Sequence, residues 1–242
     1  MPLRFHVDPP LREGAELSLP PGAARHAQVL RLQPQTAITL FDGSGGEWAA
    51  TIVRMGRSEV AVQIGAHTAI ERELSFKVTL ALGMPANERM DTVIEKATEL
   101  GATTVQALHC ERSVLRLSGE RALKKVVHWR GVAQAACEQS GRTRVPTIAP
   151  VLSLNEWLAS LSPDEAQQRL LLSPRSAQPL ARGHAKAVLC LSGPEGGLTE
   201  AEEQAARDHG FRAVSLGARV LRADTAPLAL LAHLALRAEG VA

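Results

Sequence analysis

Two glycine-containing loops near the end of the chain, each directly after an apolar run, constrain the fold more than any other feature. The first run and loop read LCLSGPEGG at 189–197, and the second AVSLGARVLRADTAP at 213–227. Between them lies LTEAEEQAARDHG at 198–210. There Thr199 and Glu202 have the spacing of a capping box and Gly210 closes a helix. After the second loop, LALLAHLAL continues as a final helix, with Pro227 suited to its first turn and Asp224 or Thr225 to its cap. This succession of strand, loop and helix belongs to an α/β sheet, and such sheets hold ligands outside the carboxyl ends of their strands. The two loops are therefore expected to form one pocket, which the rest of the chain supplies with substrate.

The upstream sequence extends the same sheet. FKVTLALG at 76–83 reads as a buried strand, MDTVIEKATELG at 90–101 as an amphipathic helix, and TTVQALHC at 103–110 as the next strand. Strand, helix and strand within so short a span make a parallel βαβ unit. A long helix is expected over 118–141, with Ser118 as its N-cap, and a further helix over 153–161. VPTIAPV between them carries two prolines and is too rigid for a central strand. QRLLLSPRS at 168–176 and KAVLCLSG at 186–193 complete the strands.

Residues 1–72 read differently. FHV at 5–7 is a short strand. PPGAARHAQVLRL at 20–32 is a short helix with Ala24, Ala27 and Leu30 on one face. The segment 36–65 alternates apolar and polar residues and is cut at DGSGG and MGRS, which gives a three-stranded antiparallel meander. A small β-barrel is expected here. HTAIERELS at 67–75 is polar and charged and reads as a linker, so the domain boundary is set at 72/73, with 73–242 as the second domain.

Composition narrows the function classes. Aromatic residues make up 3% of the 242 residues, and there is no Tyr, which argues against a recognition surface of stacked aromatics. A net charge of +2 permits nucleic-acid binding without demanding it. Cys110, Cys137 and Cys190 are widely spaced and odd in number, so buried thiols in a reducing cytosol are expected rather than disulfides, and no metal. No secretory leader or membrane-spanning run is read from the sequence. The loop 192–197 fits neither GxxxxGK[ST] nor GxGxxG, and the Rossmann acidic residue is missing, so a nucleotide-dependent enzyme of that kind is not supported.

The remaining polar constellations stand at loop ends: ERSV at 111–114, CEQSGR at 137–142, and Arg222 within the second glycine loop. Singly, each suits a solvated face as well as a site. Together with HAQVLRL at 26–32, MDTVIEKATELGA at 90–102, AACEQSGRTRVPTI at 135–148, GPEGGLTEAEE at 193–203 and LGARVLRADTAPLALLAHL at 216–234, they resemble one family in order along nearly the whole chain. The chain is identified as a member of the ribosomal RNA small subunit methyltransferase E family, within the SPOUT superfamily. Asp224 and Arg89 depart from the family pattern, in which Glu and Lys are usual.

The resemblance implies an α/β fold: a SPOUT-type knotted parallel sheet with a C-terminal trefoil knot, preceded by a PUA-like β-barrel that binds RNA. It implies S-adenosylmethionine (SAM) as methyl donor, N3 of a uridine in small-subunit ribosomal RNA as acceptor, a homodimer, and a cytoplasmic enzyme with neither metal nor membrane. For the cofactor it points to Leu172, Gly193, Pro194, Glu195, Gly196, Gly197, Leu216, Gly217, Val220, Leu221 and Arg222. For catalysis it offers Arg222, Arg142, Glu138 and Arg112, and for substrate binding Arg4, His26, Arg31, Arg112, Ser113, Gln139 and Arg142. The competing expectation is a non-catalytic RNA-binding protein on a degenerate knot domain, which loss of the glycine loop would favour; the loop is intact.

Overall fold

The structure, a computed structural model, describes residues 3–8, 10–57, 59–86, 89–164, 166–175, 178–180, 186–238 and 240. Ser58 of the MGRS turn and Ser176 of the expected 168–176 strand lie outside the described residues. The chain forms two units: Met1–Glu73 with Gln134–Val145, and Leu74–Ala133 with Pro146–Ala242. The single cut at 72/73 expected from sequence omits the second segment of the first unit.

The first unit contains β1 (Arg4–His6), β2 (Glu16–Ser18), α1 (Pro21–Val29), β3 (Ala37–Phe41), β4 (Glu47–Met55) and β5 (Val60–Thr68). They form a five-stranded sheet in the order β1-β3-β4-β5-β2. The pairs β3–β4 and β4–β5 are the expected antiparallel meander, whereas β1 runs parallel to β3. Alternation puts Ile38, Leu40, Ile52, Val60 and Val62 in its core, and α1 lays Ala23, Ala24 and Ala27 on it. Leu30 does not join that face; it is 40% exposed. The helix ends at Val29, and Arg31 turns the chain with φ 53, which carries Leu30 off the apolar stripe.

The segment expected as a linker is tied down by charge. Glu73 pairs with Arg142, Arg72 donates to the carbonyl of Gly141 at 2.8 Å, and Arg144 donates to Glu71 at 2.7 Å. These bonds bring Gln134–Val145 into the first unit, and they are invisible to local sequence patterns.

The second unit contains β6 (Lys77–Gly83), α2 (Arg89–Glu99), β7 (Thr104–His109), β8 (Thr147–Ser153), α4 (Leu154–Ala159), β9 (Gln167–Leu172), β10 (Gln178–Pro179), β11 (Ala187–Ser192), α5 (Glu200–Asp208), β12 (Arg212–Ser215) and α6 (Thr225–Ala238). Helix α3 (Gly119–Ser140) starts in this unit and contributes its last turns to the first. The seven strands pair in parallel in the order β10-β12-β9-β11-β6-β7-β8. Strands β6 and β11 lie in the middle, and their near-continuous apolar runs suit burial on both faces. The proline-bearing segment is strand β8 after all, but at the sheet edge, with Pro150 at a break in the register with β7, both places where a strand tolerates proline. Strand β9 stops at Leu172, short of the expected end, because Pro174 follows and Ser173 turns the chain. Helix α6 returns from the far edge to pack on β11 and α2. Among the described residues no helix is long and apolar enough to cross a membrane, and no cluster of three or more His, Cys, Asp or Glu is placed to hold a metal ion.

Candidate active site

Strands β9, β11 and β12 end side by side, at Leu172, Ser192 and Ser215. Their outgoing loops enclose a cavity of about 520 Å³ in the second unit. That volume suits a ligand of nucleoside size with a side arm.

The loop Gly193–Gly197 after β11 is held from several sides. Gly197, at φ 68, takes the left-handed conformation that lets its N–H close a 2.8 Å turn onto Pro194 O. Thr199 then caps α5 reciprocally with Glu202, as the spacing foretells. Arg112 donates from Nη1 to Gly196 O at 3.0 Å. The N–H of Ala86 donates to Glu195 Oε1 at 2.9 Å, with Arg89 3.7 Å away. Glu202 also accepts from the N–H of Glu111 at 2.7 Å. The turns after β6 and β7 thus grip the loop after β11. The close approach depends on Gly83, since a Cβ there would lie 2.5 Å from Pro194 Cδ and 3.0 Å from Cys110 Sγ.

The loop after β12 begins with a small turn in which Gly217 N–H donates to Ser215 Oγ at 3.2 Å. Leu216 and Leu221 are half-buried, whereas Val220 is 84% exposed and stands at the mouth. Arg222 is exposed, and its carbonyl accepts from Thr225 and Ala226 at the start of α6. Asp224 accepts from the hydroxyl of Thr225 at 3.3 Å.

The loop after β9 forms the third side. Ser173 donates to Glu203 Oε1 at 2.9 Å, and Arg207 donates to Glu203 Oε2 at 2.7 Å. Glu203 is only 5% exposed, and these two partners satisfy both of its carboxylate oxygens.

Every residue put forward for the cofactor, from Leu172 through Arg222, lines this one cavity. Sequence reasoning missed Ser173, Arg175, Glu203 and Arg219, which line it as well. The strand end at Leu172 was a usable signal for Ser173 and Arg175. Glu203 carried none, because its burial is set by packing. Arg112 stands beside the cavity as a strap on Gly196. The hydroxyl of Ser113 is buried and accepts from the N–H of Cys110 at 3.1 Å, which fixes the turn after β7.

The other site residues belong to the first unit. Arg142 is 4% exposed and gives Nε to Glu73 Oε1 at 2.9 Å, with Nη2 on Oε2. Arg4 is buried too, paired with Glu47, donating to Arg142 O at 3.0 Å and lying over the Phe41 ring. Both guanidiniums are engaged in holding the unit together. Glu138 accepts from His6 N–H at 2.9 Å and lies 4.0 Å from His26 Nδ1. Burial raises its carboxyl above the ordinary range, and the His6 N–H, His26, His6 and Arg4 offset only part of this. Arg31, His26 and Gln139 are exposed.

A family model described as "RNA methyltransferase domain" matches residues 72–235, and one described as "RNA methyltransferase PUA domain" matches 19–65. Ribosomal RNA small subunit methyltransferase E of Synechocystis is 34% identical over 212 residues, covering 86% of this chain and 68% of the relative. The protein of the same name from Bacillus subtilis is 31% identical over 219 residues, covering 87% and 86%. Among solved structures, ribosomal RNA small subunit methyltransferase E from Neisseria gonorrhoeae, bound to S-adenosyl methionine, superposes with a TM-score of 0.93 at 36% identity, with 98% of each chain covered. A putative methyltransferase from Legionella pneumophila, in complex with SAM, gives 0.92 at 31% identity, with 97% of each covered.

Proposed function

The chain belongs to the ribosomal RNA small subunit methyltransferase E family, and from that premise we propose that it transfers the methyl group of SAM to N3 of a uridine in small-subunit ribosomal RNA. The observation that carries this reading is the cavity closed by the loops after β9, β11 and β12 of a SPOUT-type sheet, in a chain that also carries a PUA-like unit. Its residues fit the donor. Leu172, Leu216 and Leu221 offer apolar contact to an adenine, and the glycines let the ligand reach the backbone. No Cβ neighbour lies within 4 Å at Gly197 or Gly217, so the space beside both is open. Bound there, SAM would supply an electrophilic methyl group.

The chain's own residues must do the rest. A uracil imide carries its proton at neutral pH, so N3 becomes a nucleophile only as that proton passes to solvent and negative charge spreads onto O2 and O4. Arg222 is the guanidinium of the cavity best suited to that charge: it is exposed, lies on the loop after β12, and has no carboxylate partner among the described residues. Arg112 serves by holding Gly196 in place. Arg142 and Arg4, bound to Glu73 and Glu47, support the first unit. Glu138, His26, Arg31 and Gln139 form its RNA-facing group. We assign the protein to the cytoplasm as a homodimer.

The test is mass spectrometry of small-subunit rRNA nucleosides from cells with and without the protein. A 3-methyluridine that disappears with the gene and returns with it supports the reading, and unchanged methyluridine sinks it. Arg222→Ala is expected to lower kcat about a hundredfold at saturating SAM, in the range for removing one oxyanion donor.

A further inference from the structure

Among the described residues, four guanidiniums line the cavity, from Arg89, Arg175, Arg219 and Arg222, against two carboxylates, Glu195 and Glu203. The carboxylates are already matched, Glu195 by Arg89 and Glu203 by Arg207. Arg175, Arg219 and Arg222 are exposed, and their guanidiniums make no ion pair or hydrogen bond to any described residue. The described residues of the cavity edge therefore carry three positive charges in surplus. The methyl donor alone does not balance them. It brings one carboxylate but also an ammonium and a sulfonium, so its own net charge is positive and the surplus repels it. An anion must arrive with the acceptor.

Arg175 and Arg219 stand on one side of the cavity. Strands β9 and β12 are hydrogen-bonded neighbours, with Val214 opposite Leu172, and the two arginines lie on the loops that leave them. Val220, 84% exposed, and the half-buried Leu221 lie between Arg219 and Arg222. Fixed charge beside an exposed apolar side chain suits a nucleotide, which presents a phosphate and a base face together.

We propose that Arg175 and Arg219 form a clamp for the phosphates flanking the target uridine, leaving Arg222 for the uracil. The inference rests on the methyltransferase reading above and names the part of the acceptor that this rim holds: the backbone of a single RNA strand. It has a consequence for the donor as well. RNA bound at the clamp cancels the surplus charge, so RNA and SAM each strengthen the other's binding.

The experiment uses the full-length protein, a single-stranded rRNA fragment that the wild type methylates, and SAM, with affinities measured over a range of salt. Arg175→Ala and Arg219→Ala are each expected to weaken RNA binding about tenfold. Each should flatten the slope of log K against log salt by roughly 0.7, the value for a phosphate contact on a single strand. Arg175→Lys and Arg219→Lys should keep the slope, since a point charge suffices for a phosphate. SAM affinity without RNA should hold or rise in the alanine variants, and the gain in SAM affinity on adding RNA should shrink. Alanine variants that lose SAM affinity but keep the RNA salt slope would show that these arginines hold the donor's carboxylate, which overturns the clamp. An unchanged slope with unchanged SAM binding also overturns it, while methylation by the wild type would leave the proposed function standing. If the wild type methylates no rRNA, the functional reading and the clamp fall together.

Discussion

The guanidinium of Arg142 and the carboxylate of Glu73 meet fork to fork in the first unit, Nε on Oε1 at 2.9 Å and Nη2 on Oε2, with the side chains only 5% and 11% exposed. This pair, with Arg72 on Gly141 O and Arg144 on Glu71, fastens Gln134–Val145 to the rest of the unit. Arg142→Ala is expected to lower stability by about 3–5 kcal/mol, because it leaves a buried carboxylate without its partner. A thermal melt of the variant measures this. The double replacement Arg142→Met with Glu73→Leu should recover most of the loss, since apolar side chains of similar size replace a buried pair at little cost. If Arg142→Ala melts like the wild type while methyl transfer collapses, the arginine acts on substrate and its structural assignment is wrong.

Gly83 ends β6 directly beneath Pro194. Gly83→Ala would set a methyl group 2.5 Å from Pro194 Cδ and 2.7 Å from Pro194 N, atoms of a braced loop rather than of a flexible side-chain end. The loop after β11 must then move. We expect a cost of about 1–3 kcal/mol in stability, typical of overpacking, and a loss of SAM affinity of about tenfold or more. Calorimetric titration with SAM reads the second effect directly. Wild-type affinity in a Gly83→Ala protein would mean that the loop after β11 does not form the donor site.

Much of this arrangement was written in local sequence. The Thr199–Glu202 box forms, because a cap needs only residues three apart. The two glycine loops follow their strands where periodicity puts them. What escaped is set by distant partners. Arg142 and Glu73 are 69 positions apart, and nothing beside either one announces the other. Glu203 looks like any solvated helix glutamate until Ser173 and Arg207 are brought to it. Leu30 fits the apolar spacing of α1, yet the turn at Arg31 removes it from the core. The order β10-β12-β9-β11-β6 and the return of α6 onto β11 are likewise facts of topology, which strand-by-strand reading does not contain.

The three thiols should be chemically silent in the folded protein. Cys110, Cys137 and Cys190 are all free and buried, and burial pushes each thiol up to about 12. The thiolate is the reactive form, so almost none is present near neutrality. A disulfide-exchange reagent at about pH 8 is expected to titrate none of them in the native protein and all three in denaturant. Rapid modification of one thiol under native conditions would show that its surroundings open locally.

Glu138 makes stability depend on pH in an unusual direction. Burial raises its carboxyl above the ordinary range in the folded state, against the partial help of the His6 N–H, His26, His6 and Arg4. The folded protein therefore holds this proton more tightly than the unfolded chain. Below the ordinary glutamate range both states are protonated, and the stabilising contribution is complete. As pH rises, the unfolded chain ionises first, and stability falls until the folded carboxyl has ionised too. Glu138→Gln keeps an acceptor for the His6 N–H but removes the titration. The melting temperature of Glu138→Gln minus that of the wild type should therefore grow more positive as pH rises through and above the ordinary glutamate range. Taking the difference cancels the other carboxylates, most of which titrate identically in both proteins. A difference that stays flat across this span, or falls with rising pH, would mean that Glu138 ionises like a solvated carboxylate and that its contact with His6 N–H governs it instead of its burial.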